Sequence, residues 1–122
     1  MLRRKWQRFV QTRVWKMDIH PSARIAATAL IDRTWPKGVH IGAGAVIDEE
    51  AVVLTHDVVR GLFLDTRIGE GATLGPRAIV LPGVTVGKGA HLLAGAVVIR
   101  DVPDHATVAG NPARIVEDAP AR

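Results

Sequence analysis

Histidine is the residue in this sequence best suited to proton transfer near neutral pH, and five histidines occur among its 122 residues. An unperturbed imidazole has a pKa of about 6.5 and can accept a proton there. His56 differs from the rest because it lies in the stretch LTHD (54–57), where an otherwise regular aliphatic pattern breaks. Loops held by a rigid scaffold commonly carry function. We therefore predict that His56 is a general base, the alternative being an ordinary exposed loop histidine.

Two aspartates close to His56 in sequence could orient its ring. Asp57 follows it directly, and Asp65 ends the same irregular stretch. A carboxylate that accepts a hydrogen bond from the second ring nitrogen would hold the imidazole, as the third member of a catalytic constellation does. A group from another subunit or a backbone carbonyl would serve equally well, so the sequence leaves the orienting partner open between these candidates.

The remaining candidates for metal or nucleophilic chemistry are few. Cysteine is absent, which excludes a disulfide, a Cys-ligated metal site and a cysteine nucleophile. His20, His40, His91 and His105 are predicted to be outward-facing or flanking residues. The five histidines are separated by 20, 16, 35 and 14 residues, so no two are close in sequence. A catalytic zinc ion needs about three such ligands in one place, and we expect no metal.

The residues that must position this chemistry repeat with a period of six. An aliphatic residue occupies one place of every hexad: Ile19, Ile25, Ile31, Ile41, Ile47, Val53, Ile68, Leu74, Val80, Val86, Leu92 and Val98. A small residue follows four positions later: Ala23, Ala29, Ala45, Ala51, Ala72, Ala78, Val84, Ala90, Ala96 and Val102. A period of this kind is the signature of a repeat architecture.

The period predicts an all-β solenoid. In a short strand, the aliphatic residue and the small residue two places before it lie on one face, because strand side chains alternate. Three such strands joined by tight corners make an 18-residue coil, and stacked coils form a parallel β-helix around an aliphatic column. We assign this β-helix to residues 18–103. An amphipathic helix would need three- and four-residue spacing, which segment 68–103 lacks.

The period is interrupted twice, at 32–40 and at 54–67. The step from Ile31 to Ile41 is four residues longer than a hexad, and the step from Val53 to Ile68 is three longer than two hexads. Insertions in a solenoid map to loops on one face, often the binding face. We therefore expect both inserts to be functional loops.

The segments that flank the β-helix have different characters. Residues 1–17 are predicted to form a short amphipathic helix with six basic residues and no acid. This helix either caps the first coil or contacts an anionic membrane surface. Residues 104–122 are predicted to be a C-terminal exit segment and tail.

The charge distribution limits the partners. The net charge of +4 comes from residues 1–17, and the rest of the chain is slightly acidic. A nucleic-acid-binding body needs a basic stripe on the fold itself, so we expect no nucleic acid partner. No apolar run is long enough to span a bilayer, and no secretory signal follows the basic start. We expect a cytoplasmic protein, peripheral to the inner membrane surface if residues 1–17 touch lipid.

The repeat resembles a known family. The hexads together with PGVTVG (82–87) and AGNPARIV (109–116) are similar to the hexapeptide-repeat acyltransferases over about residues 18–116. WPKG (35–38) and LTHD (54–57) resemble the small sugar O-acetyltransferases of surface-polysaccharide synthesis. The resemblance implies a left-handed β-helix, a homotrimer with active sites between subunits, and acetyl-CoA as co-substrate.

The resemblance also implies roles for particular residues. His56 matches the catalytic histidine, with Asp57 beside it, and would deprotonate a hydroxyl of a small-molecule or lipid-linked sugar that attacks the thioester directly. The positions that match coenzyme A contacts are Pro76, Ala94, Arg100 and Arg114. Two alternatives remain: a non-catalytic solenoid that binds a partner, and a zinc hydratase like the gamma-class carbonic anhydrases, which share this fold.

Overall fold

The computed structural model describes residues 2–116, so residues 117–122 of the predicted tail lie outside the described part of the chain. The chain starts with helix α1 (Leu2–Phe9), which runs into a π-helical turn (Val10–Val14). Sixteen short strands follow, with a 3-10 turn at Pro36–Gly38. No helix within 2–116 is long and apolar enough to cross a membrane.

The strands, numbered in chain order, form three sheets and one hairpin, and all pairs within the sheets are parallel except the last pair of the second sheet. The first sheet contains β1 (Asp18–Ile19), β4 (Val39–Ile41), β9 (Thr66–Ile68) and β12 (Thr85–Val86). The second contains β2 (Arg24–Ile25), β5 (Val46–Ile47), β10 (Thr73–Leu74), β13 (His91–Leu92), β15 (Thr107–Gly110) and β16 (Ala113–Ile115). The third contains β3 (Leu30–Ile31), β6 (Val52–Val53), β11 (Ile79–Val80) and β14 (Val97–Val98), and the hairpin contains β7 (His56–Asp57) and β8 (Leu62–Phe63).

The six-residue period produces the core. All twelve aliphatic positions and all ten small positions of the repeat are buried. Strand pairs such as Thr73–His91 and Ile79–Val97 are 18 residues apart, which is one turn of a three-sided coil. The predicted parallel β-helix is therefore confirmed, and burial of each large aliphatic side chain contributes about 1.5–3 kcal/mol.

Glycine permits the close stacking of coils at one corner. A Cβ on Gly69 would lie 2.7 Å from the backbone nitrogen of Lys88, and one on Gly87 would lie 2.5 Å from that of Asp104. Real Cβ atoms do not approach a backbone atom this closely. The glycines of the repeat thus allow each coil to sit directly on the next.

The second insert contains fewer coil residues than the hexad count predicts. We expected the step from Val53 to Ile68 to contain two hexads and three extra residues. The pairing of Val46 with Thr73, 27 residues on, shows that the chain makes only one corner there. This coil therefore has nine residues more than the usual 18. All nine lie outside the solenoid as one loop, because the chain rejoins the first sheet only where Thr66 pairs with Val39.

The C-terminal end departs from a simple exit. The chain turns at Asn111 and Pro112, and β16 then pairs antiparallel with β15, Val108 lying opposite Ile115. The chain therefore covers the edge of the second sheet instead of leaving at once, which reduces the exposed strand edge at the end of the solenoid.

Truncation of a column residue should destabilise the fold far more than the same truncation at a corner. Ile47 is 1% exposed and Ile99 is 48% exposed. We expect Ile47→Ala to lower the free energy of unfolding by about 2–5 kcal/mol because it leaves a cavity, and Ile99→Ala by less than about 1 kcal/mol. Chemical denaturation of both variants measures this. Equal losses would contradict the column as the source of stability.

Candidate active site

Both inserts leave the solenoid at the same corner. The first begins directly after β3 and the second directly after β6, and these strands are paired, with Ile31 opposite Val53. Residues that follow the two strands are therefore neighbours in space. Asp32, the first residue of the first insert, continues this register by donating its backbone N–H to the Val53 carbonyl at 2.9 Å.

The side chain of Asp32 is buried against His56. Its Oδ2 accepts a hydrogen bond from His56 Nδ1 at 2.6 Å and from the backbone nitrogens of Thr55 and His56 at 2.9 and 3.1 Å. Its Oδ1 accepts from the backbone nitrogen of Thr34 at 2.8 Å. The carboxylate thus bonds to backbone of both inserts and to the imidazole.

These hydrogen bonds keep Asp32 ionised. Burial of the carboxylate would by itself raise its pKa. The N–H of Thr55, the His56 side chain, and the N–H groups of Thr34 and His56 outweigh burial and lower the pKa of Asp32 to about 2. A buried charge of this kind is stable only because it is surrounded by donors.

The other ring nitrogen of His56 is available for chemistry. Because a carboxylate can only accept, Nδ1 carries the proton that lies between His56 and Asp32, and Nε2 is the basic nitrogen. Within residues 2–116 no hydrogen bond involves Nε2, and the side chain is 23% exposed. An oriented, partly exposed imidazole with a carboxylate behind it is the arrangement of a general base.

The hairpin that carries His56 is held at its base by buried threonines. Thr55 Oγ1 donates to the Trp35 carbonyl at 2.7 Å, and Thr66 Oγ1 donates to the Leu54 carbonyl at 2.6 Å. The Trp35 ring packs on the Phe63 ring with centroids 5.4 Å apart. The first insert thus supports the second, which fixes the position of His56.

Neither of the two aspartates that we expected to orient His56 forms a hydrogen bond with its ring. Asp57 instead accepts from the backbone nitrogen and Nε of Arg60 at 3.0 and 2.6 Å, and these two groups lower its pKa. Side chains alternate along β7, so Asp57 points away from the side that His56 occupies. The orienting carboxylate is Asp32, which the sequence analysis missed.

Asp65 takes part in a different contact at the end of the hairpin. Its Oδ1 lies 2.8 Å from His40 Nε2, and Asp18 Oδ2 lies 2.9 Å from His40 Nδ1. His40 therefore lies between two carboxylates, one on each side of its ring. These contacts connect the hairpin to the first sheet, a role that the sequence did not reveal for His40.

The four residues expected to bind coenzyme A are exposed but lie in different places. Pro76 and Ala94 lie at stacked corners between the second and third sheets, where the Gly95 nitrogen donates to the Pro76 carbonyl at 2.9 Å. Arg100 follows β14 and therefore shares the corner of the two inserts, two coils away, or about 10 Å. Arg114 lies on β16 opposite Ala109. One protomer does not gather all four.

A metal site is not formed by the side chains described. Among residues 2–116, no group of three or more His, Asp or Glu residues is arranged to hold a metal ion. The histidines lie on separate features of the molecule: His56 on the hairpin, His40 in the first sheet, and His91 in the second.

The signal for Asp32 was present in the sequence. Each insert follows the third hexad of a coil, after Ile31 and after Val53. Counting three hexads per coil from Ile19 therefore puts both inserts at one corner, with Asp32 and Leu54 as equivalent positions. A polar residue at the start of one insert is then a neighbour of the other insert.

Comparison with known proteins finds one matching family model and several similar sequences. Residues 65–100 match the family model for bacterial transferase hexapeptide, six repeats. Serine acetyltransferase 2 of Arabidopsis thaliana is 41% identical over 108 residues, which are 84% of this chain and 33% of that protein. Serine acetyltransferase of Escherichia coli K12 is 36% identical over 116 residues, or 88% of this chain and 42% of that protein.

One solved structure supports the architecture. A maltose O-acetyltransferase from Clostridium difficile superposes with a TM-score of 0.66 and 18% identity, covering 85% of this chain and 70% of that chain. At this identity the likeness concerns the fold. The chain spans less than half the length of the curated relatives named above.

The contribution of Asp32 to the free energy of unfolding should disappear at acid pH. Its pKa is lowered from 3.8 to about 2, so its contribution is complete above about pH 4 and is lost as the pH falls through 2. We expect a loss of about 2 kcal/mol across this window. Denaturation of wild type and Asp32→Asn at several pH values tests this, because the gap between them should narrow as the pH falls. A constant gap would contradict the prediction.

Proposed function

Because the chain belongs to the hexapeptide-repeat transferase family, we propose that it transfers an acetyl group from acetyl-CoA to an acceptor hydroxyl. The observation that carries the proposal is the His56–Asp32 pair, in which a buried carboxylate holds Nδ1 and leaves Nε2 facing outward. Acyl transfer to an alcohol needs such a base, because a hydroxyl is a poor nucleophile until its proton is removed.

In the proposed reaction the acetyl group passes directly from the thioester to the acceptor hydroxyl. Nε2 of His56 accepts the hydroxyl proton as the acceptor oxygen attacks the thioester carbonyl carbon. The tetrahedral intermediate then collapses, the carbon–sulfur bond breaks, and the coenzyme A thiolate takes the proton from the imidazolium. Asp32 acts as a positioning residue that fixes the ring and stabilises the imidazolium. Because the sequence has no cysteine, direct transfer without an acyl-cysteine is the simplest course.

The thioester carrier is proposed to lie between protomers of a homotrimer. Pro76 and Ala94 form one exposed edge, whereas Arg100 lies at the corner of His56. A groove between the Pro76–Ala94 edge of one protomer and the corner of its neighbour that holds His56 and Arg100 would bring these residues together. Arg100 and Arg114 would then contact phosphates of coenzyme A, for which guanidinium groups are well suited. This geometry further assumes a left-handed coil, as in the family that the sequence resembles.

The acceptor is proposed to be a saccharide hydroxyl. The LTHD and WPKG segments, which resemble those of sugar O-acetyltransferases, lie side by side next to His56, since Thr55 Oγ1 donates to the Trp35 carbonyl. Serine is the second candidate, because two curated relatives are named serine acetyltransferases. Both acceptors present a hydroxyl to the same base, so the chemistry at His56 is common to them.

Removal of the base should abolish transfer without unfolding the protein. We expect His56→Gln to lower kcat by about 10²–10⁴-fold, and Asp32→Asn to lower it by a similar factor because the ring loses its fixed tautomer. The measurement is thiol release from acetyl-CoA with separate panels of saccharides, nucleotide sugars and L-serine. Circular dichroism checks that each variant is folded.

The matched control is His20→Gln. His20 is exposed and its Nδ1 lies 2.8 Å from Ser22 Oγ on the first coil, so its removal should leave kcat unchanged. Full activity in folded His56→Gln would reject the proposed base. Absence of both acetyl transfer and coenzyme A binding in the wild type would favour a non-catalytic solenoid instead.

Removal of the Arg100 side chain should weaken binding of the nucleotide part of acetyl-CoA and should not affect binding of its thioester arm. We expect Arg100→Ala to raise the KM for acetyl-CoA by about tenfold and to leave the KM for S-acetylpantetheine, which lacks the nucleotide phosphates, unchanged. Lys88→Ala is the control, since Lys88 is an exposed cation at another corner. An equal rise with both donors would show that Arg100 does not contact a phosphate.

A further inference from the structure

Helix α1 binds to the solenoid through its polar side. Arg8 Nη2 donates to the Ala23 carbonyl at 2.6 Å, and Arg8 Nη1 lies 3.4 Å from the His20 and Pro21 carbonyls. Gln7 Nε2 lies 3.4 Å from the Ala26 carbonyl. Among the described residues no coil precedes the first one and donates to its carbonyls, and polar side chains of the helix take that place.

The apolar side of α1 consequently faces outward. Trp6 is 66% exposed and Phe9 is 50% exposed, and their rings stack with centroids 5.6 Å apart. Gln11, two residues after Phe9, is only 3% exposed. This is the reverse of an ordinary amphipathic helix, whose apolar face packs on the protein and whose polar face meets water. The inversion leaves an aromatic pair that the described part of the chain does not cover.

Cations surround the aromatic pair. Arg3, Lys5 and Arg13 are exposed, and no acidic residue precedes Asp18. The rest of the chain is slightly acidic, so the positive charge is concentrated at this end of the solenoid. A second copy of the helix would bring like charges together, which opposes self-association through this face.

The combination selects one class of partner. Tryptophan and phenylalanine insert at the boundary between lipid headgroups and acyl chains, while lysine and arginine bind anionic headgroups at the same depth. We propose that the exposed face of α1, formed by Trp6, Phe9 and the basic residues around them, binds the surface of an anionic lipid bilayer. The inference stands on the orientation of the helix and does not depend on the acetyl-transfer reaction.

The test is co-sedimentation of the full chain with lipid vesicles. We expect binding to mixed phosphatidylcholine–phosphatidylglycerol vesicles, weak binding to phosphatidylcholine alone, and a decrease with rising salt. Arg3→Glu with Lys5→Glu should weaken binding by at least about tenfold, since each cation near the surface contributes about fivefold. Trp6→Ala with Phe9→Ala should also weaken it by at least about tenfold, because less apolar area is buried.

Two matched controls separate the helix face from general charge and general aromaticity. Arg77→Glu with Lys88→Glu changes the net charge equally but lies on exposed parts of the solenoid, and should bind like wild type. Phe63→Ala removes an exposed ring from the hairpin and should also bind like wild type. No binding to anionic vesicles at low salt would overturn the proposal, and so would equal losses in the control and helix variants.

Discussion

The stacking of 18-residue coils is the constraint on which the rest of the molecule depends. Each coil places Ile, Leu or Val in a central column and donates backbone N–H groups to the next coil, as when Arg24 donates to Ala45 and Val46 to Ala72. Such a stack tolerates extra residues only where the chain is already turning, because a residue added within a strand would reverse every following side chain. The inserts therefore leave at a corner, and the corner becomes the place where chemistry can be positioned.

The buried carboxylate of Asp32 depends on that constraint. An isolated buried charge is strongly unfavourable, and Asp32 is 3% exposed. It remains ionised because paired strands β3 and β6 bring the backbone N–H groups of Thr55 and His56 to the same oxygen. The rigid solenoid thus holds the donors in place without help from a ligand, and donors fixed in this way are the basis of electrostatic preorganisation in active sites generally.

The repeat was readable from the sequence because the interior of a coil imposes the same requirement every six residues. For this single reason the twelve aliphatic repeat positions between Ile19 and Val98 are both predicted and observed to lie in the central column. The contacts of Asp57 and His40 were not predicted, because they depend on how a hairpin folds outside the repeat, whereas Asp32 was missed although the hexad count places it beside the second insert. The inward polar side of α1 also escaped prediction. Helical periodicity shows that two sides differ, but the free carbonyls of the first coil decide which side packs.

The difference between coil residues and insert residues also bears on how sequence identity to the relatives relates to the choice of acceptor. The coil dictates an aliphatic residue, a small residue and often a glycine in each hexad, so chains that share the coil share many residues through packing alone. The family match covers residues 65–100, which follow the hairpin and exclude both His56 and Asp32. The family match therefore reports the scaffold alone, whereas the alignments with the two serine acetyltransferases extend over both inserts. No repeat dictates the side chains of the two inserts, such as Trp35 and Phe63, and in the proposed reaction these side chains would select the acceptor. Acceptor preference is for this reason the property most free to differ between chains with the same column.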